Sequence, residues 1–477
     1  MGASVSFRCA GAALVVALFG PVSAKAADAD TALSLPAVLR ALTDWNGVRS
    51  QLERDGIKFT FIYYGDGFGN PTGGVKQGLG YDGRFSAILD ADLEKLAGWS
   101  GAILHASGQQ IHGTQFSAMN LDNLMTVSGI EAPVSTRLFN LWLDQKFGQF
   151  DLRVGQFTAA QEFLISENAN LFVNSTFGWP LLSSQDLPSG GPNYPEATPG
   201  ARLKFQPNEQ LSLSVAVFDG NPAGPGTGNP IGRDPNGGAF RLRDPPFYIV
   251  ELAYQHGPPE KGEAHENPNQ EAMAVGGARQ TRGSELPGTI KVGFWAHTGE
   301  FGDERYDTTN GLIAVTGGTP FVHQGDYALY AIVDQTLWYV PGGGDRGLSA
   351  FARAMLAPDD RNPIDLYADG GLTFKGPLAL RPDDTLGIAI AFARVSPLLS
   401  AFDRDTAAVT GIPIPIRNYE ATIEWTYQWQ MATNWYVQPN LQYIIHPGGN
   451  IPNPTTPGST SPIPNALVLG LRTMVKF

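Results

Sequence analysis

The run Asn418-Tyr-Glu-Ala-Thr-Ile-Glu-Trp-Thr-Tyr-Gln-Trp-Gln430 changes character at every step. Tyr419, Ala421, Ile423, Trp425, Tyr427 and Trp429 fill one face, and Asn418, Glu420, Thr422, Glu424, Thr426, Gln428 and Gln430 fill the other. Unbroken period two is the signature of a strand with one oily and one wet face. The carboxy-terminal stretch repeats it, with Leu467, Leu469, Leu471, Thr473, Val475 and Phe477 set against Arg472, Met474 and Lys476. So does Tyr81, Phe85, Ala87, Leu89, Ala91 and Leu93 against Asp82, Arg84, Ser86, Asp90 and Asp92. A soluble sandwich also alternates, but Trp425, Tyr427 and Trp429 cluster beside the short turn 431–433, and Trp435 opens the next strand. Trp and Tyr gathered at strand ends suit a membrane interface.

Composition agrees with this reading. Charged residues are 16% of the 477, aromatics 10%, and the chain holds 57 Gly and 36 Pro. The net charge of −13 argues against nucleic acid, which is bound through clustered Lys and Arg. Residues 1–24 read as a secretory signal peptide: Arg8, the apolar run Ala10 to Phe19, then small residues ending at Val22-Ser23-Ala24. Its loss makes the net charge one unit more negative and removes Cys9, the one cysteine. The exported chain then has no disulfide framework. Nothing after it is apolar for about 20 residues, so no transmembrane helix is available, and a closed β-barrel is the other backbone that hydrocarbon tolerates.

Sixteen candidate strands can be laid out, at 57–65, 80–93, 101–112, 136–147, 149–157, 200–206, 211–218, 247–255, 288–298, 326–340, 347–356, 365–375, 384–394, 418–430, 434–446 and 466–477. The connections at 148, 207–210, 341–346 and 431–433 are tight. Those at 113–135, 158–199, 219–246, 299–325, 395–417 and 447–465 are long, as in a barrel with short periplasmic turns and long outer loops. The polar segment 256–287 is long where a short turn is due. Residues 25–55 read as a periplasmic helical piece, with Asp44 as a cap, Val48 and Leu52 on one face and Gly56 as its stop; 56–477 is the barrel. A lumen face that is polar along almost every strand, in a barrel this wide, predicts a water-filled pore.

Four blocks resemble one family. They are Leu42-Thr-Asp-Trp-Asn-Gly-Val-Arg49 with Leu52, Glu53, Gly56 and Ile57; His105-Ala-Ser-Gly-Gln-Gln-Ile-His112-Gly113; Leu171-Phe-Val-Asn-Ser-Thr-Phe-Gly-Trp-Pro180; and Leu286-Pro-Gly-Thr-Ile-Lys-Val-Gly-Phe-Trp295-Ala-His297-Thr-Gly. Together they resemble the carbohydrate-selective (OprB-type) porins. The resemblance implies a sixteen-stranded outer-membrane barrel of a Gram-negative bacterium that passes mono- and oligosaccharides, glucose among them. It also implies a terminal aromatic, Phe477, read by the barrel-assembly machinery. Asn46, where the family suggests Gly, and the 256–287 segment depart from the pattern.

A sugar presents hydroxyls that donate and accept, and a weakly apolar C–H face. A selective channel therefore needs charged or amide groups beside aromatic rings. The apolar connection 158–199 is the candidate constriction loop, carrying Glu162, Asn168 and Trp179 toward the lumen; the alternative is a lid on the outer rim. On the wall the parity selects Arg84, His105, Trp142, Arg153, Arg202, Trp295, Glu420 and Glu424, with the ring faces of Trp142 and Trp295 as guides for sugar. Each charge could equally be a wall ion pair. No His-Glu-x-x-His, Gly-x-Ser-x-Gly or dinucleotide fingerprint occurs, and neither a metal nor a cofactor is expected. The partners expected are small sugars and outer-membrane lipid, with a homo-oligomer left open. A barrel hydrolase and a secreted all-β carbohydrate-binding protein are the competing readings.

Overall fold

The computed structural model describes residues 34–257, 286–455 and 460–477. The signal segment and most of 256–287 lie outside the described residues. Sixteen antiparallel strands close on themselves: β1 Ile57–Thr72, β2 Gly78–Asp92, β3 Ala102–Gly113, β4 Ser135–Phe147, β5 Phe150–Phe157, β6 Thr198–Phe205, β7 Leu211–Asp219, β8 Pro246–His256, β9 Gly288–Asp307, β10 Pro320–Tyr339, β11 Gly347–Leu356, β12 Ile364–Lys375, β13 Thr385–Val395, β14 Tyr419–Ala432, β15 Trp435–Ile445 and β16 Ala466–Lys476. Each pairs with its chain neighbour, and β1 with β16 completes the ring. Closure leaves no unpaired edge, which is the condition for a sheet in hydrocarbon.

The period-two pattern translates directly into two surfaces. Val215, Val217, Leu252, Ile290, Val292, Phe294, Leu329, Ile388, Ile390, Trp425, Leu469 and Leu471 all point outward and are exposed. An apolar band of this extent would aggregate in water and is at rest only in lipid. Around the end where β1 begins and β16 finishes, aromatic pairs lie along the barrel: Phe147 with Phe150, Phe150 with Phe205, and Trp338 with Phe374. Trp429 belongs to this end, whereas Trp425 lies at mid-height opposite Leu441.

Two expected boundaries move. The connection expected at 299–325 is mostly strand, since β9 runs to Asp307 and β10 starts at Pro320; side-chain parity is carried past the membrane into a tall hairpin. The first strand also continues through the glycine-rich Gly65–Gly69, which has too few side chains to show alternation.

Before the barrel, α1 (Leu35–Leu42) and α2 (Val48–Asp55) form a helical pair. Asp44 is not the cap residue of α2, which is Gly47 with φ 89°; its Oδ1 instead accepts from the N–H and Oγ of Ser50, doing the cap's work from three residues earlier. Gly56, with φ 108°, ends α2 as expected. Arg49 fixes the pair to the barrel by donating to the Phe59 carbonyl at 2.7 Å and lying 5.0 Å over the Phe61 ring. A short helix, α3 (Leu93–Ala97), capped by Asp92, fills the β2–β3 connection.

The last residue closes the seam. Phe477 and Phe61 exchange both backbone hydrogen bonds at 2.9 Å, and their rings are 5.7 Å apart. Deleting Phe477 removes two bonds of about 1 kcal/mol each plus an aromatic contact at the strand that completes the ring. The expected outcome is a several-fold lower fraction of folded, heat-modifiable barrel on unheated gels. A wild-type fraction would show that the seam does not need it.

Candidate functional site

Two connections turn inward. The 158–197 segment, which includes α4 (Leu181–Asp186), packs on the inner wall from β7 to β13. Its Phe163, Leu164, Leu171, Phe172, Phe177, Trp179, Leu182 and Leu187 meet Phe218, Phe247, Ile249, Trp295, Tyr330, Ile332, Phe351, Met355 and Tyr367. The expectation of a polar lumen along almost every strand is therefore corrected: about half the circumference is apolar inside. The inner faces of those strands serve as a hydrophobic core for a loop, at about 1.5–3 kcal/mol per large side chain buried. On β13 the inward residues shrink to Gly387, Ala389, Ala391 and Ala393, and a Cβ at Gly387 would come within 2.6 Å of Leu171 and 2.9 Å of Phe172. The 114–134 segment also folds in, against β1, β2, β15 and β16, where Val127 and Ile130 meet Phe68, Ile62, Tyr64 and Ile444.

Loop backbone brought inside a barrel loses water, and its N–H and C=O groups need partners. Wall side chains provide them. Glu420 accepts from the N–H groups of Leu124 (2.8 Å), Met125 (2.6 Å) and Gly448 (2.8 Å). Glu424 accepts from Val173 (2.8 Å) and Asn174 (2.9 Å). Glu251 takes the N–H of Leu164, and Asp334 takes Ser166 Oγ and both the backbone and the Nδ2 of Asn168. Asp82 accepts from Gln115 and Phe116, and Asp66 from Ser128 Oγ. In the opposite sense Arg353 donates to the carbonyls of Leu164 and Thr176, Lys291 to Ile165, and Gln438 to Leu171. Glu420, Glu424 and Asn168, selected from sequence as lumen groups, are thus loop anchors.

A second arrangement stands on β2–β6. Arg153 and Arg202 sit directly opposite each other on β5 and β6, a pairing of like charges that would repel. Three carboxylates hold them. Arg153 donates to Asp144 by Nε (3.0 Å) and Nη2 (2.6 Å), and to Glu162 through a short contact. Arg202 donates to Glu162 at 3.0 Å, to Asp151 at 2.6 Å and to Asp144 at 3.4 Å. Glu162, on the interior loop, bridges both guanidinium groups. The Trp142 ring is covered on both faces, by the Arg153 guanidinium 3.7 Å from its centroid and by His105 stacked at 4.4 Å and 3°. His105 in turn bonds Asp90 at 2.7 Å.

The aromatic guides expected from sequence are not open faces. Trp142 is sandwiched, Trp295 is fully buried with Nε1 donating to Ser183 Oγ, and Trp179 is buried in the loop core. Arg84 is buried between the rings of Tyr64 and Tyr194 at 5.0 and 5.1 Å. Parity placed Trp142, Trp295 and Arg84 facing inward, and Trp179 was read on the loop, but neither signal could show what covers them. The groups left partly open are carboxylates and amines: Asp90 with 38% of its side chain exposed, Asp151 with 21%, Glu162 with 15%, Lys291 with 16%, and Lys204 half-buried. Asp151, Lys291, Glu251 and Asp334 were not selected from sequence; their lumen parity was the available signal.

Residues 76–477 match the carbohydrate-selective porins of the OprB family. The chain belongs to that family. Porin B of Pseudomonas aeruginosa is 27% identical over 459 residues, 91% of each chain. The putative porin QuiX of Acinetobacter baylyi is 24% identical over 444 residues, 86% of this chain and 88% of that one. The high-pH structure of Pseudomonas putida OprB has the same fold, with a TM-score of 0.75 and 24% identity over 91% of this chain and 97% of that one. The sixteen-stranded barrel with inward loops is thus a sugar-selective porin, a channel rather than a packed barrel.

The anchors make the loop's position testable. Glu424→Ala strands two N–H groups that now bond a carboxylate, at about 1.5–3 kcal/mol each. Single-channel recording is expected to show higher and noisier conductance than wild type, with Glu424→Gln intermediate. Unchanged conductance in the alanine variant would mean that the loop holds its place without the anchor. Gly387→Val, which forces a side chain against Leu171 and Phe172, is expected to lower thermal stability by about 1–3 kcal/mol; wild-type stability would deny that contact.

Proposed function

We propose that the chain lies in the outer membrane of a Gram-negative bacterium and passes glucose-sized sugars by facilitated diffusion, without covalent chemistry. The path runs along the β2–β6 side of the lumen, opposite the apolar wall filled by the 158–197 loop, which acts as the constriction. The end where β1 begins and β16 finishes, with α1 and α2, faces the periplasm. The observation that carries this reading is Glu162, partly open and fixed between Arg153 and Arg202. A carboxylate held by two guanidinium groups cannot swing, and its outer lone pairs accept from sugar hydroxyls at a defined place. The arginines, buried at this point, act as positioning residues. Binding here has to stay weak, because a tight site would stop flow.

The test is conductance in a planar bilayer with added glucose and maltooligosaccharides. Wild type is expected to be blocked in a saturable way. Glu162→Gln, which keeps the shape and loses the charge, is expected to weaken sugar block by about 5–30-fold, as for one charged hydrogen bond of order 1–2 kcal/mol, with open conductance altered less than twofold. Equal effects on block and conductance would reduce Glu162 to a wall residue. Conductance indifferent to every sugar would remove the selectivity at this site.

A further inference from the structure

At the barrel end away from the start of β1 and the finish of β16, α4 of the interior loop, β10 and the 357–363 turn before β12 meet around two buried carboxylates. Asp186, the last residue of α4, is 6% exposed, and its Oδ1 accepts from the Ile364 N–H at 3.2 Å. Asp326 on β10 is 3% exposed, and its Oδ1 accepts from Asn362 Nδ2 at 2.8 Å. Asn362 is fully buried, and its Nδ2 also reaches the Pro358 carbonyl. Three oxygens remain with no hydrogen-bond partner: Asp186 Oδ2, Asp326 Oδ2 and Asn362 Oδ1.

Neither acid forms an ion pair among the described residues, although the Arg361 charge is felt at Asp326. Arg361 is engaged by Asp360 and the Gly325 carbonyl, and Arg394 by Asp365. The two acids are close enough for the charge of Asp326 to be felt at Asp186. Two buried carboxylates without a cation cost several kcal/mol each unless a charge or a proton joins them. Among the described residues no three His, Cys, Asp or Glu side chains group as a metal centre; here the third oxygen comes from a neutral amide. Carboxylate and amide oxygens are the donors that hard divalent cations take, and calcium is the one that tolerates irregular geometry.

We infer that Asp186, Asp326 and Asn362 form a calcium site that pins the C-terminal end of α4 to the wall between β10 and β12. Backbone carbonyls and water would complete the coordination shell. Two carboxylates and one amide place the affinity near that of extracellular calcium modules, about 10⁻⁴ M.

The experiment uses the full mature chain in detergent, stripped with chelator and then titrated with radioactive calcium, alongside thermal unfolding with and without about 10 mM calcium chloride. One ion per chain and a raised unfolding temperature are expected. Asp186→Asn and Asp326→Asn are each expected to weaken binding by about tenfold or more. Asp405→Asn, in the Arg305 ion pair elsewhere on the same end, is expected to bind like wild type. If the Asp186 and Asp326 variants fail to fold, Asn362→Ala and the wild-type stoichiometry carry the test. Wild type that takes up less than one calcium, or binds it equally in the Asp186 and Asp326 variants, overturns the site and leaves a shared proton between the acids.

Discussion

Backbone folded inside a barrel has to be bonded, and that constraint orders this structure. The 114–134 and 158–197 loops are too long and too apolar to stay in water, yet each brings a string of N–H and C=O groups with it. Glu420, Glu424, Glu251, Asp334 and Asp82 receive the N–H groups; Arg353, Lys291 and Gln438 answer the carbonyls. A charged acceptor bonding amides is roughly twice as strong as a neutral one, so a few side chains fix a long segment.

The same arrangement divides the lumen. From β7 to β13 the wall is largely apolar because it has a loop to bury, with Glu251, Lys291, Asp334 and Arg353 set into it as anchors, and the small residues of β13 give Leu171 and Phe172 their room. From β2 to β6 the wall carries charge, and its cations are neutralised by carboxylates of the wall and of the loop. Glu162, carried by the loop, ties the two sides together through its ion pairs with Arg153 and Arg202. Stacking of His105, Trp142 and Arg153 keeps the charged side rigid: a guanidinium over a ring adds about 0.5–2 kcal/mol and leaves the Arg153 fork only one orientation.

Strand number, closure order and inward parity were legible because lipid and lumen impose opposite demands on successive residues. The 418–430 run shows this without any tertiary information. Where side chains are missing the signal fades, as in the glycines of β1, and where a strand outruns the membrane it is taken for a loop, as at 299–325. Of the residues proposed for the channel, Arg153, Glu162 and Arg202 came together in one network. Glu420, Glu424 and Asn168 turned out to hold loops, and Trp142, Trp295, Trp179 and Arg84 to be covered.

Parity along the chain determined which side of the sheet each of the strand residues occupies, since a strand offers only two directions; Glu162, Asn168 and Trp179, on the loop, had no such signal. It could not determine what lies across the lumen from them. A carboxylate facing water and a carboxylate facing the amides of a distant loop look the same in sequence. Contacts such as Glu424 with Val173 join residues about 250 positions apart and are created by ring closure. Only the closed barrel, with its loops drawn in, decided which inward groups bind backbone and which stay partly open to the lumen.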